Sequence, residues 1–332
     1  MKVFIISCIS ILIHCKVYGN PNRFATSDVK KADSIAAIYQ GYSLFDLRAL
    51  ALKLTLPLST EEEKFRSIFK WVCNNIGYDY PMHLRNQHKR KKLKTASERE
   101  QWNKKIAKEA IVKLLQKRVT VCSGYAHLLK ELCSLAGITC VVIDGYGRTA
   151  QATIGSEGIP NHSWNTVKLN DVWYLCDATW ASGAYDTQSM SFVKKYTDAY
   201  FLPDPTLFIR NHFPLDTAWM LMKKKPSLQE FLYAPLIYAD AYTYVIQQLY
   251  PKVVGVSATK GEAVSFRFRA LSNLLVQKIE LFINGKSYPK PLIRSSDEFS
   301  INHIFKTKGI YAVHIGVNEQ YVITYSVNVN KE

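Results

Sequence analysis

The sequence predicts an α+β protein in which a mixed domain of helices and strands is followed by a small all-β domain. In the first third of the chain, apolar residues recur at helical spacing. From Ile138 the pattern changes to the β-branched, alternating type of strands, and beyond Pro251 it consists of several short strands. The 332 residues are enough for two ordinary domains, which fits this division.

The first 19 residues are predicted to be a secretory signal peptide, with an N-terminal strand as the alternative. Lys2 precedes an apolar run from Val3 to Ile13, and Gly19 is a small residue at the expected cleavage position. No later apolar run approaches the roughly 18 residues that a membrane-spanning helix needs. We therefore expect a secreted or periplasmic protein.

Helices are expected before the first strands. Residues 20–55 have a mainly helical pattern, and a second helix begins after Ser59 or Thr60. Either residue can cap a helix, because a glutamate follows each of them three positions later. Apolar residues then recur at helical spacing until Gly77, which is a typical helix terminator.

Positive charge is concentrated in one segment of the chain. The net charge is +16, and the stretch from Met82 to Arg118 contains 13 Lys or Arg against 3 Glu. We interpret residues 82–108 as an exposed basic insertion that leads into a helix. A solvated surface, or contact with an anionic surface, is favoured over nucleic-acid binding, because Trp102 is the only stacking ring in the segment.

The cysteines do not indicate a metal site. Two of seven lie in the predicted leader, which leaves five: Cys73, Cys122, Cys133, Cys140 and Cys176. An odd number in an exported protein predicts at least one free thiol. The sequence has no Cys-x-x-Cys pair and its histidines are scattered, so no metal and no cofactor is expected. Apart from Cys122, we expect buried small side chains, with one disulfide among them as the alternative.

A β-hairpin is predicted around Asn170-Asp171, between two extended runs. With a two-residue turn, His162 and Asp177 lie on one face of the sheet and diagonal to each other, about 7 to 8 Å apart at Cα. Cys176 points to the opposite face, which predicts a core position. A slip of one residue would separate the histidine from the aspartate.

Residues 251–332 are predicted to form a β-sandwich of immunoglobulin-like type. Phe266 and Phe268 alternate with arginines, as in a half-buried strand, and Asn284-Gly285 is a strong hairpin turn signal. This part of the chain contains no evident set of reactive groups.

Cys122 stands at the start of a predicted helix within "VTVCSGYAHLLKELCSLAG", residues 119–137. Unpaired N–H groups and the positive end of the helix dipole would stabilise a thiolate there, and the same N–H groups could bind an oxyanion. A buried thiol is the alternative. His162 is the expected base, since His127 lies on another face of the helix, and Asp177 could orient the imidazole.

Three short stretches, "TVCSGYA", "NHSWNTV" and "WYLCDATW", resemble the three blocks of the transglutaminase-like superfamily, which consists of circularly rearranged relatives of papain-type enzymes. The resemblance is closest to the branch named for kyphoscoliosis peptidase and covers roughly residues 35–235. It implies a circularly permuted papain-like domain, assigned here to residues 20–250, with Cys122 as nucleophile, His162 as base and Asp177 as orienting residue. Thr120 departs from the pattern, because a glycine often occupies that position.

The implied function is that of an exported cysteine enzyme that acts on protein or peptide amide bonds through a thioester. Hydrolysis is slightly preferred over transfer to an amine, and a non-catalytic protein-binding module is the alternative. Trp164 and Trp180 are expected to flank the cleft, either as substrate contacts or as packing residues. No calcium-loop signature is found, so calcium activation has no support.

Overall fold

The computed structural model describes residues 26–149, 159–186, 189–271, 276–288, 293–295 and 297–331. The predicted signal peptide lies outside the described residues. Within these ranges, no helix has the length and apolar character that crossing a membrane requires.

The helices of the described residues are concentrated in the first 250 positions. They are α1 (Thr26–Ile38), α2 (Leu47–Thr55), α3 (Glu61–Asn75), α4 (Tyr80–Lys92), α5 (Ala96–Lys117), α6 (Cys122–Leu135), α7 (Ala178–Ser182), α8 (Pro205–Phe208), α9 (Leu228–Tyr233) and α10 (Ala239–Thr243). Short 3₁₀ helices span Asp198–Tyr200 and Thr217–Met220.

The strands form a four-stranded central sheet and two C-terminal sheets of four and six strands, with short pairs elsewhere. They are β1 (Gly77–Tyr78), β2 (Val119–Thr120), β3 (Thr139–Gly147), β4 (His162–Leu169), β5 (Val172–Cys176), β6 (Gly183–Asp186), β7 (Ser191–Lys194), β8 (His212–Pro214), β9 (Leu236–Ile237), β10 (Ile246–Tyr250), β11 (Gly255–Thr259), β12 (Ala263–Ala270), β13 (Ile279–Ile283), β14 (Lys286–Tyr288), β15 (Ile293–Ser295), β16 (Glu298–Ile304), β17 (Gly309–Val317) and β18 (Gln320–Asn330).

Helix α3 begins as predicted, and the structure decides between the two candidate caps. Thr60 is the cap, because its side chain accepts a hydrogen bond from the Glu63 backbone N–H while Glu63 accepts one from the Thr60 N–H at 2.9 Å. This reciprocal pair satisfies two of the otherwise unpaired donors of the first turn. Phe65 and Phe69 are fully buried on the inner face of the helix, so its apolar stripe forms part of the core.

The basic segment is folded differently from the exposed loop that we predicted for residues 82–108. It forms two helices, α4 and α5, joined by residues 93–95. Asp79 caps the first helix by accepting a hydrogen bond from the Met82 N–H at 2.9 Å, and Thr95 caps the second within a capping box. Because both helix starts carry such caps, the segment is ordered despite its charge.

This helical hairpin packs against the chain immediately before Cys122. Met82, Ile106 and Ala110 are buried and form a small cluster with Val121. The basic side chains point outward, while the buried apolar side chains hold the hairpin against Val121. The segment therefore packs beside the start of α6 and is not a solvated loop.

The central sheet has the order β5-β4-β3-β8 and is antiparallel throughout. The predicted hairpin is confirmed: Leu169 pairs with Val172, and Asn170 and Asp171 occupy the turn with positive φ angles of 46° and 61°. Two positive φ angles at the centre of a two-residue turn are typical of type I′, which matches the twist of the flanking strands. The buried position of Cys176 is also confirmed.

Helix α6 lies on this sheet and is held to it by a buried amide. Asn165 in β4 donates through Nδ2 to the carbonyl oxygen of Ala126 at 3.0 Å. Leu129 and Leu132 of the helix are fully buried in the same core. The start of α6 is thereby fixed relative to the start of β4, where His162 lies.

The five cysteines of the described residues are all buried free thiols. Cys73, Cys133 and Cys176 have pKa values raised well above the ordinary value, first of all because burial disfavours the thiolate. These three therefore behave as the buried small side chains that we predicted.

The C-terminal strands form two sheets, with the orders β10-β12-β16-β15 and β11-β18-β17-β13-β14. Phe266 and Phe268 are buried as predicted, and the ring of Phe266 lies 5.1 Å from that of Tyr325 in the other sheet. Asn284 and Gly285 form the predicted hairpin turn. Strand β9 pairs with β18, and β10 pairs with β12, although β9 and β10 precede Pro251. The C-terminal sheets therefore include residues upstream of that proline.

Candidate active site

Cys122 is the first residue of α6, and its position leaves the helix start open. Val121 precedes it and makes no side-chain capping bond, so the first-turn N–H groups have no capping side chain. The thiol is 9% exposed, which places it at the edge of the interior. An uncapped helix start next to a sulfur atom provides donors for a developing oxyanion.

His162 begins β4 and is held by close contact with β3. A Cβ atom added at Gly147 would lie only 2.8 Å from the Cβ of His162, so a glycine is required beside the imidazole. His162 is 8% exposed and its ring stacks on Trp180 at a centroid distance of 5.0 Å. Backbone spacing and stacking together fix the ring orientation.

Asp177 follows β5 and acts as the cap of the short helix α7. Its Oδ1 atom accepts the backbone N–H groups of Thr179, at 2.8 Å, and of Trp180, at 3.2 Å. Its Oδ2 atom lies 2.6 Å from Nε2 of His162 and 3.0 Å from Nε2 of His212. The carboxylate is fully buried, and four hydrogen bonds define its position.

The structure joins two of the three predicted site residues by a hydrogen bond. The Nε2 atom of His162 is directed at Asp177, and Cys122 is among the groups that raise the pKa of the imidazole. Nδ1 is the ring nitrogen that remains for the sulfur. The resulting order, sulfur to imidazole to carboxylate, is the arrangement in which a nucleophile is served by a base and the base by an orienting group.

The electrostatics of the site favour a protonated His162. Burial alone would lower its pKa, but the Asp177 carboxylate and then the Cys122 sulfur outweigh that effect and raise the pKa to about 10. Burial would raise the pKa of Asp177, but the two imidazoles reverse this and hold it well below its usual range. A protonated imidazole beside an ionised carboxylate follows from these two directions.

His212 is the main site residue that the sequence reasoning missed. It lies in β8, is fully buried, and stacks on Phe208 at 3.8 Å. Burial lowers its pKa to about 4 despite the nearby carboxylate, so it is neutral and donates through Nε2 to Asp177. Its Nδ1 atom lies beside the Phe208 carbonyl without the geometry of a full hydrogen bond.

His162, Asp177 and His212 also have donor atoms of the type that bind transition metals, all within 4.8 Å of one another. Here the two imidazoles are directed at the same carboxylate oxygen and share it through hydrogen bonds. The observed arrangement is therefore that of a hydrogen-bonded network rather than of a metal cage.

The two tryptophans that we predicted at the cleft have different surroundings. Trp164 is 1% exposed and packs against His212, with ring centroids 5.1 Å apart. Its burial favours the packing role over substrate contact. Trp180 is half-buried and covers one face of His162. Of the two, it alone presents surface beside the imidazole.

Tyr78 and His83 form a polar pair that was not predicted. The Tyr78 hydroxyl and Nδ1 of His83 lie 2.9 Å apart. Burial raises the pKa of Tyr78, and Cys122 contributes in the same direction. Both residues belong to the helical hairpin or lead into it.

The family model described as "Transglutaminase-like superfamily" matches residues 48–178, which include Cys122, His162 and Asp177 but not His212. The chain is 28% identical over 292 residues to kyphoscoliosis peptidase of Mus musculus, covering 86% of this chain and 41% of that protein. It is 31% identical over 219 residues to the protein of the same name from Homo sapiens, covering 65% and 30%.

Hillarin of Drosophila melanogaster is 27% identical over 245 residues, covering 69% of this chain and 26% of that protein. The chain thus spans less than half the length of each of these relatives. The shared part includes the domain with the cysteine, histidine and aspartate. Residues 48–178 thus form a domain of the transglutaminase-like superfamily, and the chain is similar to kyphoscoliosis peptidase over much of its length.

Proposed function

We propose that this protein is a cysteine enzyme that acts on protein or peptide amide bonds through a thioester on Cys122. The observation that carries the proposal is the buried hydrogen bond between His162 and the carboxylate of Asp177, together with Cys122 at an uncapped helix start and among the groups that raise the pKa of His162. A buried ionic network of this kind is costly unless it is well paired, which is why it favours a functional role over a merely structural one.

The geometry supports a two-step acyl transfer. The sulfur of Cys122, as thiolate, forms a bond to the amide carbon, and the carbonyl oxygen becomes an oxyanion that the first-turn N–H groups can bind. The C–N bond then breaks as His162 gives its proton to the departing amine, which leaves a thioester. Asp177 keeps the imidazole oriented throughout and stabilises its charged form.

In the second step the thioester is attacked by water or by an amine, with His162 accepting the proton of the attacking group. The sulfur then leaves as thiolate, and the product is an acid or a new amide. We propose hydrolysis, as in a peptidase or deamidase, because the relatives with the longest coverage carry the name peptidase.

The finer features of the architecture are part of the same proposal. We infer that residues 20–250 form a circularly permuted papain-like domain, that the C-terminal sheets form an immunoglobulin-like sandwich, and that the protein is exported after cleavage near Gly19. The alternative is a non-catalytic binding module that uses the same scaffold. The intact set of three site residues favours the enzyme.

Selective alkylation of Cys122 tests the thiolate–imidazolium pair directly. At about pH 6 we expect iodoacetamide to modify Cys122 well before Cys73, Cys133 or Cys176, whose burial raises their pKa values. Mass mapping of the modified peptides gives the order. Replacement of His162 by Gln should slow the reaction at Cys122 about tenfold or more, since the cationic partner is removed.

The activity itself requires a peptide substrate screen. The wild-type protein and Cys122→Ala are incubated with a peptide pool, with and without a primary amine. Shortened peptides, or a deamidated side chain, that depend on Cys122 would support hydrolysis; incorporation of the amine would favour transfer. Slow, non-selective alkylation together with an unchanged pool would instead favour the binding module.

A further inference from the structure

A cavity of about 580 Å³ lies between the start of α5 and the segment that leads into β4. Arg90, Arg99, Asn103 and Pro160 are among the residues that line it. Its wall is formed on one side by the helical hairpin and on the other by the chain immediately before His162. The cavity therefore lies between a part of the chain that no reaction step uses and the chain that leads into His162.

The cavity is close to the reacting groups. Pro160 precedes His162 by two residues, and Arg90 donates through Nη1 to the Pro160 carbonyl at 2.7 Å. Because Pro160 lines the cavity and lies two residues before His162, a peptide bound beside His162 could extend into it.

The charges that line the cavity are not balanced. Burial lowers the pKa of Arg90, the Asp144 carboxylate raises it, and repulsion by the Arg99 guanidinium lowers it again. Glu100 is the acidic residue of the lining, and its carboxylate is paired with Lys104 at 2.7 Å. Two arginines thus line the cavity, and the acidic residue of its lining has another partner.

Arg90 also has an unused donor. Its Nε atom is buried and makes no hydrogen bond to any described residue, although its Nη1 atom is paired with Pro160. A buried donor without a partner costs free energy, whereas a charged hydrogen bond at that position would be favourable. The planar guanidinium has a geometry that matches a carboxylate with two parallel bonds.

We propose that this cavity is a substrate subsite that binds the side-chain carboxylate of an aspartate or glutamate, with Arg90 and Arg99 as the recognition residues. The inference rests on the proposed function, because it assigns the cavity to the peptide that Cys122 would acylate. The subsite selects acidic peptides as the acyl donor. It does not determine whether water or an amine is the acceptor.

Paired electrophiles measure the preference without knowledge of the natural substrate. The probes are the amides of iodoacetyl-glutamate and iodoacetyl-glutamine, which have nearly the same shape and differ in one charge. We expect Cys122 of the wild type to react about tenfold faster with the glutamate probe, since one charged hydrogen bond is lost with the glutamine probe. The rates at Cys122 are read from intact mass and peptide mapping.

Replacement of Arg90 by Gln should bring this ratio close to one, whereas Arg90→Lys should retain part of it through its charge. Arg99→Gln provides a second variant that does not disturb the Pro160 contact. Lys108→Gln is the matched control, because Lys108 is an exposed base on the same helix and does not line the cavity. It removes the same charge from the protein and should leave the ratio as in the wild type.

The outcomes separate the subsite from the proposed function. If the glutamine probe modifies Cys122 first among the thiols but the glutamate probe is no faster, the subsite is wrong and the reactive thiol stands. A ratio that persists in both Arg90→Gln and Arg99→Gln, or that falls equally in Lys108→Gln, also overturns the subsite. If neither probe selects Cys122, the reactive thiol itself is wrong.

Discussion

Asp177 accepts more hydrogen bonds than orienting one histidine requires. One oxygen caps α7 through two backbone N–H groups, and the other is shared by the imidazoles of His162 and His212. The carboxylate is thus fixed from both sides before it acts on either histidine. Such full satisfaction of a buried charge is what makes its burial tolerable.

Replacement of Asp177 by Asn isolates the charge of this residue. Asn is nearly the same size and is itself a good helix cap, so the start of α7 should be retained. Without the carboxylate, burial of His162 is no longer outweighed, and we expect its pKa to fall from about 10 to below the 6.5 of an ordinary histidine. Nuclear magnetic resonance titration of the imidazole measures this change.

Asp171→Asn is the control for this measurement. Asp171 is an exposed residue of the hairpin turn, and its carboxylate pairs with Lys168 at 2.7 Å on the surface. Loss of this charge should leave the titration of His162 as it is in the wild type. An unchanged pKa of His162 in Asp177→Asn would contradict the assigned pair.

At the scale of elements, the approach of β2 to α6 depends on a glycine. Gly124 lies in the first turn of α6, and Thr120 in β2 is fully buried against it. A Cβ atom added at Gly124 would lie 1.9 Å from Oγ1 of Thr120 and 2.8 Å from its Cβ. The Thr120 side chain therefore fills space that Gly124 leaves open.

Replacement of Gly124 by Ala should therefore be destabilising. Although alanine favours a helix by about 1 kcal/mol over glycine, the overlap with Thr120 should cost more, and we expect a net loss of about 1 to 2 kcal/mol. In the double variant Gly124→Ala with Thr120→Gly the overlap is gone. Urea unfolding of the four proteins should give a coupling free energy of about 1 to 3 kcal/mol.

Gly255→Ala is the comparison for this cycle, since no atom lies within 4 Å of its added Cβ. It should change stability by less than about 0.5 kcal/mol. Additivity of the Gly124 and Thr120 substitutions would show that their side chains do not compete for the same space.

The helical hairpin is the element that the sequence analysis predicted least accurately. Its charge suggested a solvated loop, yet Thr95 with Glu98 forms a capping box that is readable in the sequence. Asp79 followed by Pro81 is a second helix-start signal of the same kind. The local signals for both helices were present. What they could not show is the apolar contact with Val121 that places the hairpin beside the active-site cysteine.

At the scale of the whole molecule, the two histidines of the network predict opposite pH dependences of stability. The pKa of His212 in the folded protein is about 4, below the ordinary 6.5, so its contribution is complete above 6.5 and is lost as the pH falls toward 4. The pKa of His162 is raised to about 10, so its contribution is complete below 6.5 and is lost as the pH rises toward 10. Stability should therefore be greatest near neutral or slightly acidic pH.

Replacement of His212 by Gln should flatten the acid side of this profile. The measurement is the free energy of unfolding in urea between about pH 7 and pH 4.5, where the wild type should lose on the order of 2 kcal/mol more than the variant. His127→Gln, at an exposed position of α6, should follow the wild-type curve. If the free energies of unfolding of the wild type and His212→Gln fall equally as the pH is lowered, His212 is not a buried neutral imidazole.

The C-terminal sheets are connected to the site by a short series of contacts. Asn211, next to His212, donates to the carbonyl of Ile237 at 2.7 Å. Ile237 pairs in turn with Ile323 of β18. The strand that supplies His212 is therefore tied to the C-terminal part of the molecule, a link that no local pattern indicates.

Local sequence patterns specify the helices and strands and, through the hairpin at Asn170-Asp171, the position of His162 near Asp177. A two-residue turn fixes register, and register fixes which side chains share a face. Tertiary structure alone decided that His212 joins the same carboxylate and that Arg90 reaches the Pro160 carbonyl. Those contacts join residues 35 and 70 positions apart, and such pairings depend on how whole elements pack rather than on any short-range pattern.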